Sequence, residues 1–240
     1  MKWLRVAGAA AAVVVVFGVS VNVSPAFAQA VDEIPVVGDI ARVLTVRSFT
    51  EEQPDHTVNV EQPMVADDTQ FAADVNEQIN KIVDQYIEEA NQRIAEYREA
   101  FLATGGTEEE FEQKNIQVDV DYEILSETED RVSFVLRAAE SDISAGKEIV
   151  YYNLDLATGK VLTLQDVLGE DWVNICNSSI QEQMAENTDV SYFSEDQGGF
   201  TTVDENTSFY LDEDGSVVVV FPKYSIAPGA YGEQTFRIDA

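Results

Sequence analysis

Side chains suited to nucleophilic or metal chemistry are scarce in this sequence. It holds one cysteine, Cys176, and one histidine, His56. A lone cysteine forms no disulfide within the chain. One thiol and one imidazole fall short of the three or four ligands of a zinc site, so no metal centre of that kind is expected. Any Cys–His or Ser–His–Asp system would have to use His56. It sits in EEQPDHT, a polar stretch that reads as a loop, and no catalytic role is expected of it. Carboxylates present the opposite problem. With 45 Asp and Glu in 240 residues, some pair must lie close together, so no acid–base pair is singled out. Asp212-Glu213-Asp214-Gly215 resembles part of a calcium loop but lacks its spaced ligands and closing glutamate, and it reads as a hairpin turn. Phosphate-binding loops, the G-x-S-x-G elbow and the dinucleotide motif are all missing from the sequence. The expectation is a protein with no cofactor, no metal and no catalytic residue.

The charge is lopsided, with 14 Lys and Arg against 45 Asp and Glu, a net −31. Lys2 and Arg5 belong to the first 28 residues, which carry no acid. The remainder therefore has 12 cations against 45 anions, a net −33. Such a surface repels nucleic acid and anionic lipid, and it steers basic proteins toward itself at low salt. Solubility or adaptation to salt would leave the same signature.

The first residues, Met1 to Arg5, are basic. An apolar run from Val6 to Val21 comes next, and then Pro25 and Ala26-Phe27-Ala28. A basic start, an apolar middle and an A-x-A site define a segment cleaved by signal peptidase after Ala28. The run is slightly short of the roughly 17–25 residues of a membrane span. Residues 1–28 are thus a removed signal peptide or an uncleaved anchor. Either way, the chain beyond Ala28 is expected to be extracytoplasmic, membrane-anchored or secreted.

Downstream, the periodicities alternate between helix and strand. Ile34 to Leu44 carries apolar residues at helical spacing after Pro35. Arg47–Thr50 and Thr57–Val65 alternate as strands do, joined across Glu51–His56. Phe71, Val75, Ile79, Ile82, Tyr86, Ala90, Ile94, Tyr97 and Phe101 mark one face of a long helix between Asp67 and Thr104. Asp67, Asp68 or Thr69 can cap its start, and Gly105-Gly106 ends it. Thr107 to Gln113 reads as an acidic bridging segment. Asn115–Leu125, Arg131–Ala138 and Lys147–Leu156 read as three strands of an antiparallel meander. Leu164–Leu168 and Trp172–Met184 look helical, with Cys176 on the apolar face. Asp189–Asp204 is a long irregular loop. Thr207–Leu211 and Val217–Phe221 form a hairpin over the Asp212–Gly215 turn, and Thr235–Ile238 is a last strand. The fold class expected is α+β, with antiparallel sheets packed on one long helix and a second, shorter helix. The domain limits expected are 29–140, with the long helix, and 141–240.

Between the last two strands lies Phe221–Gly232, FPKYSIAPGAYG. Each proline fixes φ and removes a donor, and each glycine permits turns that other residues resist. The loop should be stiff and present Tyr224, Ile226 and Tyr231. On residue types it is either a proline-rich connector or a protein-binding edge, since tyrosine offers large amphipathic area at little entropy cost.

Three stretches read together carry a resemblance: Asn22–Thr45 (NVSPAFAQAVDEIPVVGDIARVLT), Tyr151–Leu168 (YYNLDLATGKVLTLQDVL) and Phe221–Gly232. They resemble the extracytoplasmic half of RsiV-type anti-sigma factors, a pair of small domains also found in PdaC-type cell-wall deacetylases. The resemblance implies a non-catalytic lysozyme-binding domain, acting as sensor or inhibitor in the cell-envelope stress response. It implies a signal-peptidase site at Ala26 and Ala28. It also implies that Pro222 and Tyr224 contact the partner while Ile226, Ala227, Pro228 and Gly229 shape the loop. A strongly basic protein such as lysozyme matches the charge, and nucleic acid does not. Family members carry a cytoplasmic sigma-binding region before the membrane segment. Only Met1 to Arg5 stand there in this sequence, so sigma-factor binding is not expected of this N-terminus. The alternative is a peptidoglycan-binding accessory module that takes wall glycan rather than protein.

Overall fold

The fold is that of a computed structural model describing residues 43–141 and 147–238. The signal-peptidase site at Ala26 and Ala28 and most of the helix expected after Pro35 lie outside the described residues; the end of that helix, at Leu44, falls instead in a strand, Val43–Glu52. Among the described residues, nine strands fall into a six-stranded sheet, ordered β1-β2-β3-β4-β5-β6, and a three-stranded sheet, β7-β8-β9. With one long helix and several shorter ones, this is the α+β class expected. The chain forms two compact units, and β3, β4 and β5 each contribute residues to both. Among the described residues, 43–123 and 136–149 make the first, and 124–135 and 150–238 the second.

In the first unit, Thr69 opens the longest element. Its backbone is extended and its hydroxyl accepts the Ala72 N–H at 3.2 Å, satisfying a donor that the first turn leaves orphaned. Helix α1, Gln70–Ala103, then runs for 34 residues and buries Ala72, Val75, Ile79, Val83, Tyr86, Ala90 and Ile94. This stripe packs against β2. Strands β1 (Val43–Glu52) and β2 (His56–Val65) make the expected antiparallel hairpin. Beside it, β3 (Ile116–Glu127) pairs with β2 in parallel, from His56 opposite Ile116 to Val60 opposite Val120. A parallel neighbour requires a long crossover, and α1 stands between the two strands in sequence.

Polar side chains fix how α1 lies along the hairpin. The Asn76 amide bonds both the N–H and the C=O of Val65, at 2.8 and 3.0 Å. Asn80 accepts from Gln62, and Asp84 pairs with Arg47. His56 is therefore not in a polar loop. It is the first residue of β2, buried, with Nδ1 at 2.7 Å from Asp55 Oδ1 and Nε2 at 2.8 Å from Asn91 Oδ1. A buried imidazole has to find polar partners, and the turn and the helix supply them.

Further along α1, Arg93 donates from Nε and Nη2 to Oε1 of Glu140, at 3.0 and 2.6 Å. The Glu140 side chain is fully buried. The Arg93 guanidinium also lies 5.4 Å from the centre of the Tyr86 ring. Burial, and then the Glu140 carboxylate, push the Tyr86 hydroxyl well above its usual range. The acidic bridging segment is in fact a short helix, α2, Glu108–Glu112. A capping box between Thr107 and Glu110 starts it, and buried Phe111 holds it against Tyr97 and Phe101.

The second unit contains part of β4 (Arg131–Glu140) and most of β5 (Glu148–Asp155). Next in the chain are β6 (Lys160–Val161), α3 (Leu164–Leu168) and α4 (Trp172–Glu186). Then come β7 (Ser208–Leu211), β8 (Val217–Phe221) and β9 (Gln234–Ile238), antiparallel in that order. The core gathers Cys176, Ile180, Phe209, Val219, Phe236 and Ile238. Burial raises the Cys176 thiol to about 11, so it behaves as a small core residue rather than a nucleophile. One buried amide does the work of a neighbouring strand. Asn153 donates to the Phe209 carbonyl at 2.8 Å and accepts the Leu211 N–H at 3.1 Å, which satisfies backbone groups on the outer edge of β7. Ser133 holds that amide in place from 2.8 Å.

Candidate partner-binding loop

Four valines, Val217–Val220, are all buried in β8. β-Branched side chains suit such a central strand. Pro222 comes directly after β8 and lacks the N–H that would continue the ladder. The backbone then turns, and the Ser225 N–H reaches the Pro222 carbonyl at 3.0 Å. Tyr224 is the third residue of this turn, with φ +74°. Type II turns place glycine or asparagine at that position, because a Cβ is strained there. The Tyr224 side chain is 68% exposed. Its ring packs against Gly229, where an added Cβ would meet the ring, and the Lys223 ammonium stands 5.1 Å from the ring centre.

The expectation that the loop presents Ile226 is not met. Ile226 and Ala227 are buried, and Ile226 belongs to the core of the unit. After the strained turn the chain dives inward at these two residues, and the Ile226 carbonyl accepts the Phe193 N–H at 2.9 Å. Pro228 is half-buried and precedes a single 3-10 turn, Gly229–Tyr231, whose Tyr231 N–H returns to the Pro228 carbonyl at 3.0 Å. Gln234, buried, then donates its amide to the carbonyls of Tyr231 and Glu233, at 2.9 and 3.1 Å. Two apolar anchors and these hydrogen bonds hold a rigid loop whose exposed face is Pro222, Lys223, Tyr224 and Tyr231. The exposure of Lys223 and the positive φ of Tyr224 have no signature in residue spacing.

The turn Asp212–Gly215 joins β7 and β8 as the sequence indicates. Asp212 accepts the backbone N–H of Ser216 at 2.9 Å, and Arg237 from β9 clasps both Asp212 and Asp214. Asp212 is pushed up by burial and then by Asp214. Hydrogen bonding from Asp212 and then Arg237 holds Asp214 down, to about 2. These carboxylates are occupied with the hairpin. Among the described residues no group of three His, Cys, Asp or Glu side chains is placed to hold a metal ion. No helix among them is long and apolar enough to cross a membrane.

The loop lies inside residues 165–240, which match the family model described as a protein of unknown function, DUF3298. Over 237 residues the sequence is 27% identical to the anti-sigma-V factor RsiV of Bacillus subtilis, covering 96% of this chain and 79% of that protein. The similarity to RsiV runs along nearly the whole length of the chain. A DUF3298-family protein from Bacteroides fragilis superposes with a TM-score of 0.53 at 18% identity, covering 76% of this chain and 80% of the other. The fold is therefore shared with that protein. A second DUF3298 structure, from Pseudomonas aeruginosa, gives a TM-score of 0.47 at 15% identity, over 83% of this chain and 91% of the other. The RsiV resemblance drawn from three short stretches thus extends across both units.

Proposed function

We propose that this chain is a non-catalytic, extracytoplasmic binding domain of the RsiV type that takes lysozyme through the Pro222–Gly229 loop and acts as its sensor or inhibitor. The observation that carries this reading is Tyr224. A bulky aromatic is held in a backbone conformation that costs of order 1–3 kcal/mol and is left exposed to solvent. Strain of that kind clusters at ligand clamps and other functional sites. The Pro222 ring beside it adds a stiff apolar contact, and Ile226, Ala227, Pro228 and Gly229 hold the shape. A chain with net −31 draws a basic protein toward this edge. The burial of Cys176 supports the non-catalytic part of this reading.

Residues 29–240 are to be mixed with a c-type lysozyme. A stoichiometric complex and a matching loss of wall-hydrolysing activity support the reading. Undiminished hydrolysis with no complex overturns it, and sedimentation with peptidoglycan in the absence of lysozyme would replace it with wall binding.

A further inference from the structure

Glu233 stands between the loop and β9. The hydroxyl of Tyr151, from β5, lies 3.4 Å from both of its carboxylate oxygens. The Tyr151 ring is stacked on Tyr210 of β7, with centroids 6.2 Å apart and planes 13° from parallel. Both rings are half-buried, and Glu233 is exposed. The Glu233 carboxylate thus lies at the hydroxyl end of Tyr151, whose ring is stacked on Tyr210, two residues beyond Tyr231 and five beyond Pro228.

Glu233 has acceptor capacity to spare. A phenol has one proton to give, and 3.4 Å is at the outer limit of a hydrogen bond. Among the described residues no lysine or arginine pairs with Glu233. The one cation of the loop, Lys223, is placed over Tyr224 instead. A guanidinium group satisfies both features at once. It presents paired N–H donors to a carboxylate and lays its plane on an aromatic ring.

We propose that Glu233, Tyr151 and Tyr210 form a seat for an arginine side chain of the basic protein that the loop engages. The seat rests on the lysozyme reading of the loop and extends its contact surface beyond Tyr224. The Gln234 amide, which grips the carbonyls on either side of Gly232, fixes the seat relative to Tyr231. The high negative charge of the chain favours a cationic occupant over a neutral saccharide.

The test is calorimetric titration of the purified chain with a basic c-type lysozyme, at low and at physiological salt. The variants are Glu233→Gln, Glu233→Lys, Tyr151→Phe and Tyr224→Ala. Glu88→Gln and Glu88→Lys make the same charge changes on the exposed face of α1 and control for net charge. Glu233→Lys is expected to weaken binding about tenfold or more, and Glu233→Gln about threefold or more, against less than about twofold for the Glu88 pair. Tyr151→Phe keeps the ring and the fold, and should change affinity less than Glu233→Gln does. If the wild type binds and Tyr224→Ala weakens it while Glu233→Lys behaves like Glu88→Lys, the seat is refuted and the loop stands. No binding by the wild type overturns both. Loss of peptidoglycan binding in Glu233→Gln, with lysozyme affinity unchanged, would assign the seat to a saccharide and overturn the proposal. Thermal melts confirm that each variant folds.

Discussion

The ring of Tyr224 lies over Gly229 so closely that a Cβ at position 229 would come within 2.0 Å of its Cε1 and 2.1 Å of its Cζ. Gly229 does not lie in the left-handed region, so the ring is what excludes a side chain there. Gly229→Ala should therefore push the ring out of place. We expect it to cost about 1–2 kcal/mol of stability alone, and close to nothing when Tyr224 is already alanine. A double-mutant cycle by denaturant unfolding reads this coupling directly, and additive costs would deny the contact.

Tyr224→Gly separates strain from recognition. Glycine adopts φ +74° freely, and an exposed ring contributes little to the core. The variant should be as stable as the wild type or more stable by up to about 1 kcal/mol, yet should lose lysozyme binding. A gain in stability with affinity intact would show the strain to be incidental.

Arg93 and Glu140 make a different kind of pair. The Glu140 side chain is fully buried, and Arg93 is its cation. Arg93→Met leaves a buried charge without its partner and should cost about 3–5 kcal/mol. Arg93→Met combined with Glu140→Gln should recover most of that loss, because the uncompensated charge is gone. Chemical denaturation of both variants checks it.

Asp166 predicts a response to acid. Lys160 first, and then Thr163 through the capping box, hold its carboxyl at about 2, below its ordinary 3.8. A folded value below the unfolded one adds stability that is complete above about pH 4 and is lost as pH falls toward 2. Lys160→Met should lower the melting temperature above about pH 4 and converge on the wild type as pH falls toward 2, so the profile flattens across that window. Asp214 has the same sign, but Asp212 moves the other way beside it, so the hairpin turn is the poorer reporter.

Much of this architecture was legible because periodicity reports burial. The helical stripe from Val75 to Ile94 and the valine run of β8 each name one buried face. Contacts distant in sequence left no such trace. Nothing local says that β2 pairs in parallel with β3, or that Asn153 completes the edge of β7. His56 reads as a loop residue because its neighbours in sequence are polar, whereas its partner Asn91 is 35 residues away. The loop shows the same limit on a smaller scale. Prolines and glycines announced a stiff turn, but residue types could not tell that Ile226 faces the core while Tyr224 faces out. That division depends on the left-handed backbone at Tyr224, which tyrosine rarely adopts.

Tyr224 is the residue of this loop proposed to bind lysozyme. The most direct measurement compares the affinity of the wild type and of Tyr224→Ala for a c-type lysozyme, with both shown by thermal melt to be folded. The alanine keeps the backbone strain and removes only the ring, and the complex should weaken by more than about 1 kcal/mol. Equal affinities would contradict that role for Tyr224.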